Sequence, residues 1–461
     1  MNYDFSIHSS LGLKGRIFTN MSILGAARMV AAILGMCTLI IAARTFGNAS
    51  TFGTLLFIHA YMLFFSKLAT FKVWQAIIRF GSIDVNENNP NRFGTLINTS
   101  IKLDAVSALI AFILAISLFE IYLGMSASLN LPSFDTDESS IDIGSLKTLL
   151  YSYSVLILFR QLNVAIGIFR LFDKFAILAV RAIVMPALRL VGALIAYVQG
   201  WGLIEFLWIW FIASLVSYFV MQIFALRELH KRNLLSYVLK ARFAKAAEIT
   251  GFFPYVIKTN INSTLGAFKG YFPSLLLMVV FGPASLAVYR IAEEVARLLS
   301  RAISLFDQVL FPELSRLVVE KNLRLLSVIT MKAALGVGII GFAISAIVLI
   351  FGDTLIQKSF ADGFESVPIL AVMLLVATSL KGVAVPFYSI FYVLMIPGRA
   401  IWVRIAATVF YFAVFGALLK SFGLFAIAWA AIASSVFEVT LVIIFASLYL
   451  NRQRTDSKSQ N

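Results

Sequence analysis

One cysteine, three histidines and a charged fraction of 13% leave this chain of 461 residues poorly equipped for several common kinds of chemistry. Cys37 alone excludes an intrachain disulfide. His59 and His230 are isolated, and no His or Cys pair has the spacing of a metal site, so no metal or cofactor is expected. No glycine-rich loop precedes a helix to cradle a phosphate, and no nucleophile elbow is present. The sequence therefore reads as that of a protein that is not an enzyme. Acids are the scarcer charge, 23 against 38 Lys and Arg, for a net charge of +15.

Apolar sequence is abundant. Hydrophobic residues make up 60% of the chain and its mean hydropathy is +0.92, well outside the range of soluble domains. Apolar stretches of membrane-crossing length recur from end to end, which predicts an all-α integral membrane protein. Twelve spans are expected at about 21–43, 53–78, 97–122, 147–170, 175–198, 203–226, 253–281, 285–310, 327–350, 366–390, 402–420 and 424–449. The first span is too long for a signal peptide and lacks a small-residue cleavage site, so it is expected to stay as an anchor.

Loop charge orients the spans. Roughly twenty Lys and Arg fall on the N-terminal side, against Arg44, Lys147, Lys358 and Lys420 on the other, which places both termini in the cytoplasm. This asymmetry accounts for a positive charge that would point to nucleic acid in a soluble chain, and no nucleic acid partner is expected. The loop 124–146 agrees, with Asp135, Asp137, Glu138 and Asp142 and no basic residue. It is too small for the external domain of an integral glycosyltransferase or polymerase.

The longest basic loop, 227–252, divides the chain into an N-terminal six-helix lobe (1–226) and a C-terminal six-helix lobe with a short tail (253–461). Leu234, Leu235, Val238, Leu239 and Phe243 among Lys231, Arg232, Lys240, Arg242 and Lys245 predict an interfacial amphipathic helix within it. A repeat supports the division. Phe46-Gly47-Asn48-Ala49-Ser50 ends span 1, and Phe281-Gly282-Pro283-Ala284-Ser285 ends span 7, 235 residues later. Duplicated bundles that rock about a central site are a common transporter plan.

Charges inside the spans are the informative exception. Fourteen are cationic: Arg28, Lys67, Lys72, Lys102, Arg160, Arg181, Arg189, Lys258, Lys269, Arg290, Arg297, Arg301, Lys332 and Lys381. The acids are about half as many: Asp104, Glu120, Glu205, Glu293, Glu294, Asp307 and Glu438. A charge near the bilayer centre costs roughly 3 kcal/mol on insertion scales, so such residues face a cavity, a partner or a substrate. Surplus positive charge points to an anionic cargo.

Span 8 holds the clearest pattern. At 100° per residue, Arg290, Glu294, Arg297 and Arg301 fall within about 60° of one another over three turns, with Glu293 beside them. Either this is an i,i+4 ion-pair ladder that makes the helix tolerable in lipid, or it lines a cavity with the pairs holding the arginines in place. Lys258 and Lys269 share a face of span 7 with Asn262, and Arg28 lies about two turns into span 1. Lys67 and Lys72 project on different faces of a continuous span 2, so only one is expected to reach a shared cavity. Lys102, Arg181 and Lys332 lie near span ends and are expected to snorkel. Arg160 and Arg189 are deeper without forming a stripe, and Arg160 with Asn163 reads equally as a structural contact between helices. Pro186, Pro254, Pro273 and Pro386 are candidate bending points.

Short motifs then carry a family resemblance. Ala43-Arg44-Thr45-Phe46-Gly47 through Phe52-Gly53, Gly282 through Leu286-Ala287-Val288-Tyr289-Arg290, Phe311-Pro312-Glu313-Leu314, and Phe422 through Ala428 occur in the order and topology of the polysaccharide (Wzx-type) flippases. These belong to the multidrug/oligosaccharidyl-lipid/polysaccharide exporter superfamily. The resemblance implies two six-helix lobes around a central cationic cavity lined by spans 1, 2, 7 and 8, in the inner membrane of a bacterium. It implies as cargo an oligosaccharide on a polyprenyl pyrophosphate, moved from the cytoplasmic to the outer leaflet for O-antigen or another surface glycan. The expected headgroup contacts are Arg28, Lys72, Lys258, Lys269, Arg290, Arg297 and Arg301. Glu293 and Glu294 position them or couple transport to a proton or sodium ion, and Tyr271, Tyr289 and Trp74 are candidates to stack on sugars. Membrane lipids are expected partners, with a polysaccharide polymerase a further one. A cation-coupled multidrug exporter of the same superfamily is the alternative, disfavoured by the cationic surplus; a membrane scaffold for glycan assembly is a third reading.

Overall fold

The computed structural model describes residues 13–68, 70–128, 143–160, 162–241, 249–320, 322–360, 363–394 and 396–458. The acidic loop residues Asp135, Asp137, Glu138 and Asp142 lie outside these, as do Arg242, Phe243 and Lys245 of the basic loop. Every described element is helical. In chain order they are α1 (Leu13–Phe46), α2 (Ala49–Leu68), α3 (Val73–Asn86), α4 (Pro90–Ser128), α5 (Ile143–Ser154), α6 (Leu156–Phe159), α7 (Asn163–Leu171), α8 (Phe175–Gln199), α9 (Leu203–Lys231), α10 (Leu235–Lys240), α11 (Phe252–Val319), α12 (Leu323–Ser359), α13 (Val367–Val393), α14 (Pro397–Phe422) and α15 (Ala426–Lys458).

Among the described residues, 10 helical stretches are long and apolar enough to cross a membrane. Two of them, Gly266–Val318 with 53 residues and Gly398–Tyr449 with 52, are about 80 Å long at 1.5 Å per residue, more than twice the hydrocarbon thickness. Each supplies two crossings, and 10 + 2 gives the expected twelve. The divisions fall at glycines: Gly282 (φ 78°) inside α11 and Gly423 (φ 53°) between α14 and α15. Gly47 also has positive φ, at 63°, so the repeated Phe-Gly pattern marks the same backbone feature at both of its positions. A left-handed residue costs an L side chain energy that glycine avoids.

On the basic side, three turns share one construction. Asn88, Asp173 and Asn233 adopt positive φ after α3, α7 and α9. The next N–H closes back five residues in each: Asn89 to Asp84 O, Lys174 to Phe169 O and Leu234 to Leu229 O, at 2.9, 2.7 and 2.9 Å. This is the six-to-one bond of a Schellman turn, with Asn or Asp where glycine is usual because their short polar side chains tolerate the left-handed region. Acids pair the cations here. Arg92 meets Asp84 at 3.3 Å and Glu87 at 3.1 Å, and Arg232 meets Glu228 at 2.7 Å.

The chain packs as two compact units, Met1–Pro283 and Ala284–Asn461. In the first unit α1 runs along α8, and its buried positions include the small residues Ala27, Ala32, Ala42 and Ala43, which let backbones approach closely in lipid. A core of α3, α4, α7, α9 and the start of α11 buries Phe93, Phe169, Leu234, Val238 and Phe252. In the second unit α12 packs on α13, and α13 and α14 on α15, around Leu314, Phe387, Phe391 and Val442.

The first half of α11 packs within unit 1. Phe268 and Phe272 contact Phe64, and the Thr264 hydroxyl donates to the Leu68 carbonyl. The described helix of the loop 227–252, α10, has only six residues and lies against α4. Asn98 donates to the Val238 carbonyl at 3.1 Å, and Leu234 and Val238 enter the core while Leu239 stays exposed. Leu234 and Val238 are thus covered by protein, and Leu239 is not.

Candidate functional site

In unit 2 the charged group lies on the part of α11 that follows Gly282. Regular helical geometry stacks its charged residues one above another, and the sequence-predicted group comes together. Arg290 Nη1 lies 2.7 Å from Glu293, Arg297 lies 2.9 Å from Glu293 and 3.6 Å from Glu294, and Arg301 lies 2.7 Å from Glu294. Three guanidinium groups share two carboxylates, so the ladder keeps one net positive charge. Side-chain exposure rises along it, from 11% at Arg290 to 31% at Arg297 and 35% at Arg301, so the accessible charge sits at the Arg301 end. Arg301 Nη1 is buried without a hydrogen-bond partner. The ion pairs of the ladder reading are thus present, and they leave a surplus of one positive charge.

Unit 1 holds a different arrangement. The expected continuous spans 2 and 4, which contain no proline, are each interrupted, whereas Pro186 and Pro386 sit inside unbroken α8 and α13. Helix α2 ends at Leu68 and α3 starts at Val73, with Lys72 at its N-cap (φ −82°, ψ 57°). Helix α6 ends at Phe159 and α7 starts at Asn163, after Arg160 and the N-cap Leu162 (φ −112°, ψ 10°). These two starts lie side by side. Gly167, five residues beyond Leu162, passes so close to Ile77, five beyond Lys72, that a Cβ there would sit 2.9 Å from the Ile77 side chain. Arg170 stacks 4.1 Å above Trp74, tying α7 to α3 a second time.

Cations collect at this level. The charge of Lys67 feels those of Arg160, Lys72 and Arg181, and Arg160 in turn acts on Arg181 and Arg189. Lys67 is exposed; Lys72, Arg160 and Arg181 are half-buried. The other ionisable groups acting on Arg160 are the phenols of Tyr271 and Tyr153. Asp104 on α4 is buried and is engaged with the start of α7, accepting from Asn163 Nδ2 at 3.2 Å. Sequence reasoning missed this group in three ways. Lys67 and Lys72 project apart only on an unbroken helix. Arg181 was assigned to snorkelling, yet it is half-buried and its charge is felt by Lys67. Asn163 was the partner considered for Arg160, and its amide goes to Asp104 instead. The legible signal was the polar run Arg160-Gln161-Leu162-Asn163 inside an apolar span.

Arg189 is held apart from acids as well. Its guanidinium lies 3.4 Å from His59 Nε2, donates to Ser214 Oγ at 3.1 Å and stacks 4.7 Å over Trp210, while His59 Nδ1 and the Tyr153 hydroxyl are 2.8 Å apart. One guanidinium thus links α2, α8 and α9, and through His59 reaches α5. Of the remaining predicted contacts, Arg28 is exposed on α1 with its charge close to that of Arg170, and Lys269 is half-buried on α11. The side chain of Lys258, like that of Asn262, falls outside the described residues.

Unit 2 also encloses a cavity of about 400 Å³ lined by Ser300, Ser304, Asp307, Lys381, Tyr388, Ser389 and Arg404 among others. Ser389 donates to Asp307 at 2.7 Å, Tyr388 donates to Glu438 at 2.7 Å, and Arg404 stacks 4.8 Å over Tyr388. Among the described residues no three His, Cys, Asp or Glu side chains converge as a metal site would require.

A chain of twelve apolar crossings with charged groups held inside two helical units is a multi-pass membrane protein of transporter architecture. The same fold is found in a multidrug resistance MATE family transporter of the MOP superfamily in its inward-facing conformation, with a TM-score of 0.69 at 12% identity over 93% of this chain and 96% of that one. It is found equally in the lipid II flippase MurJ, inward closed, with a TM-score of 0.68 at 12% identity over 92% and 87%. The family described as polysaccharide biosynthesis protein matches residues 17–318, and the chain belongs to it. It is also 29% identical over 344 residues to the inner membrane protein YghQ of Escherichia coli (strain K12), covering 75% of this chain and 92% of that protein.

Proposed function

We propose that this protein is a flippase that carries a polyprenyl-pyrophosphate-linked oligosaccharide from the cytoplasmic to the outer leaflet of a bacterial inner membrane by alternating access, with both termini cytoplasmic. The observation that carries the reading is the acid-free group of cations in unit 1, Lys67, Lys72, Arg160 and Arg181. Uncompensated positive charge in a low dielectric is costly, and it suits a cargo that brings its own negative charge. Membership of the polysaccharide biosynthesis family supports the sugar part of the cargo, and the MurJ-like fold supports a lipid-linked one. A diphosphate offers guanidinium groups charge-assisted, bidentate hydrogen bonds.

Arg28, Lys72, Lys258, Lys269, Arg290, Arg297 and Arg301 are the proposed headgroup contacts. Glu293 and Glu294 hold the span-8 arginines at 2.7–3.6 Å, which favours positioning as their role. A polysaccharide polymerase is a proposed downstream partner, and O-antigen one candidate product.

The MATE-like fold keeps a multidrug exporter as the second reading. Deleting the gene in the producing strain separates the two. The flippase reading expects loss of surface glycan, accumulation of its lipid-linked intermediate and unchanged drug sensitivity. Normal glycan with increased drug sensitivity would establish the exporter in its place.

A further inference from the structure

The cavity of unit 2 is built from polar faces on two helices. On α11, Ser300, Ser304 and Asp307 follow one another at the helical intervals that keep them on one side. On α13, an otherwise strongly apolar helix, Thr378, Lys381, Ser389 and Tyr392 do the same. Polar groups inside a membrane span are costly unless they face a partner or a polar cavity, and here the two stripes face one cavity. Gly382 permits the approach. A Cβ at that position would lie 2.7 Å from Ile303 of α11 and 2.7 Å from Val337 of α12, so glycine lets α13 close on both.

The floor of the cavity is fixed by hydrogen bonds. Buried Ser389 donates to Asp307 at 2.7 Å, and buried Tyr388 donates to Glu438 at 2.7 Å, so each hydroxyl has its proton committed and its lone pairs left to accept. Half-buried Asp307 adds a carboxylate acceptor, and Arg404, stacked 4.8 Å over Tyr388, adds a fork of donors. Ser304, Tyr392 and Arg404 are exposed and form the open mouth. Six of the 13 lining residues carry a hydroxyl, against one acid and two cations, so the cavity offers interleaved donors and acceptors more than a net charge. Its complement is a ligand dense in hydroxyl groups, each a donor and an acceptor at once. A vicinal diol can donate to the Asp307 carboxylate while it accepts from the Arg404 guanidinium. The volume of about 400 Å³ is at the small end for ligand pockets, which suits a short piece of a larger molecule.

We propose that this cavity is a saccharide site, in which Asp307, Tyr388, Ser389 and Arg404 hold a short terminal piece of the glycan by its hydroxyl groups. The proposal rests on the flippase reading for the source of the sugar. It assigns recognition of the glycan to unit 2, through four residues that the proposed headgroup contacts do not include. The glycerol headgroup of a membrane lipid is a polyol too, so the test compares the two sources.

The full-length protein is purified in a detergent without a sugar headgroup and titrated with two probes, while a thermal melt of each variant reports folding. One probe is the repeat-unit oligosaccharide released by mild acid from the surface glycan that deletion of the gene removes; the other is glycerol 1-phosphate. The expected result is saturable binding of the oligosaccharide and about tenfold weaker binding, or none, of glycerol 1-phosphate. Asp307→Asn keeps an acceptor for Ser389 but loses the charge, and it weakens the oligosaccharide complex about tenfold. Ser304→Trp fills the mouth without touching the floor and abolishes binding, and Arg316→Gln, an exposed arginine paired with Glu320, leaves it unchanged. No affinity of the folded native protein for the oligosaccharide overturns the site. So does unaltered affinity in folded Asp307→Asn or Ser304→Trp protein, or equal affinity for glycerol 1-phosphate. The deletion strain decides the flippase reading separately: glycan lost on deletion and fully restored by a folded Ser304→Trp protein keeps the flippase and removes the site, whereas a deletion that leaves every surface glycan in place removes both.

Discussion

Three arginines on α11 of unit 2 share two glutamates, whereas four cations at the paired helix starts of unit 1 have no acid among the groups that act on Lys67, Arg160 and Arg181. Both groups lie in apolar spans, so both carry the cost of desolvation. They meet it in opposite ways. In the ladder each carboxylate is held by two guanidinium groups, and removing one leaves a half-buried charge without compensation. In the cluster no acid among the described residues acts on Lys67, Arg160 or Arg181, so their charges oppose the fold, and we propose that an anionic cargo offsets them. The comparison separates cations that carboxylates compensate from cations that they do not, a distinction that counting charges in spans does not make.

Four substitutions test this difference. The largest effect on stability is expected from Glu293→Gln, which strips Arg290 and half of Arg297 of their partner and costs about 3 kcal/mol; thermal unfolding in detergent measures it. Next is Gly167→Leu. Its side chain has to displace Ile77 and push α7 from α3, at a cost of about 2 kcal/mol, and it is expected to lose surface glycan because the two helix starts no longer align. A smaller loss, about 1 kcal/mol, is expected from Asp173→Ala, where the φ of 60° and the hydrogen bond from Asn20 at 2.9 Å are both disturbed; export should survive, since this turn lies away from both cation groups. Smallest of all in stability is Arg160→Gln, expected within about 0.5 kcal/mol of the native protein or above it, because it relieves repulsion from Lys67 and Arg181.

The sequence and the fold agree most closely where length and composition decide. Twelve crossings follow from apolar runs and the rise of a helix, and the Phe-Gly repeat foretells the positive φ of Gly47 and Gly282. The ladder was legible as well, because Arg290 through Arg301 lie on one unbroken helix, where 100° per residue is a reliable rule. That rule fails at Lys72 and Arg160. Apolar residues continue on both sides of each interruption, so the only local mark is a short polar run such as Arg160-Gln161-Leu162-Asn163, and projection across a break assigns faces that do not exist. Which helix lies beside which is also absent from a single span's pattern. Gly167 against Ile77 is a tertiary contact, and it brings Arg160 to the level of Lys72. The prolines were the visible candidates for bends, yet α8 and α13 run through Pro186 and Pro386 without ending.

The most direct test of the account pairs two readouts on two variants. Arg160→Gln and Glu293→Gln are introduced into the producing strain, and thermal stability of the purified protein is measured beside the surface glycan of the cells. The account predicts that Arg160→Gln keeps native stability and loses export, while Glu293→Gln loses stability. A stable Arg160→Gln protein with full export, or one destabilised as much as Glu293→Gln, would contradict it.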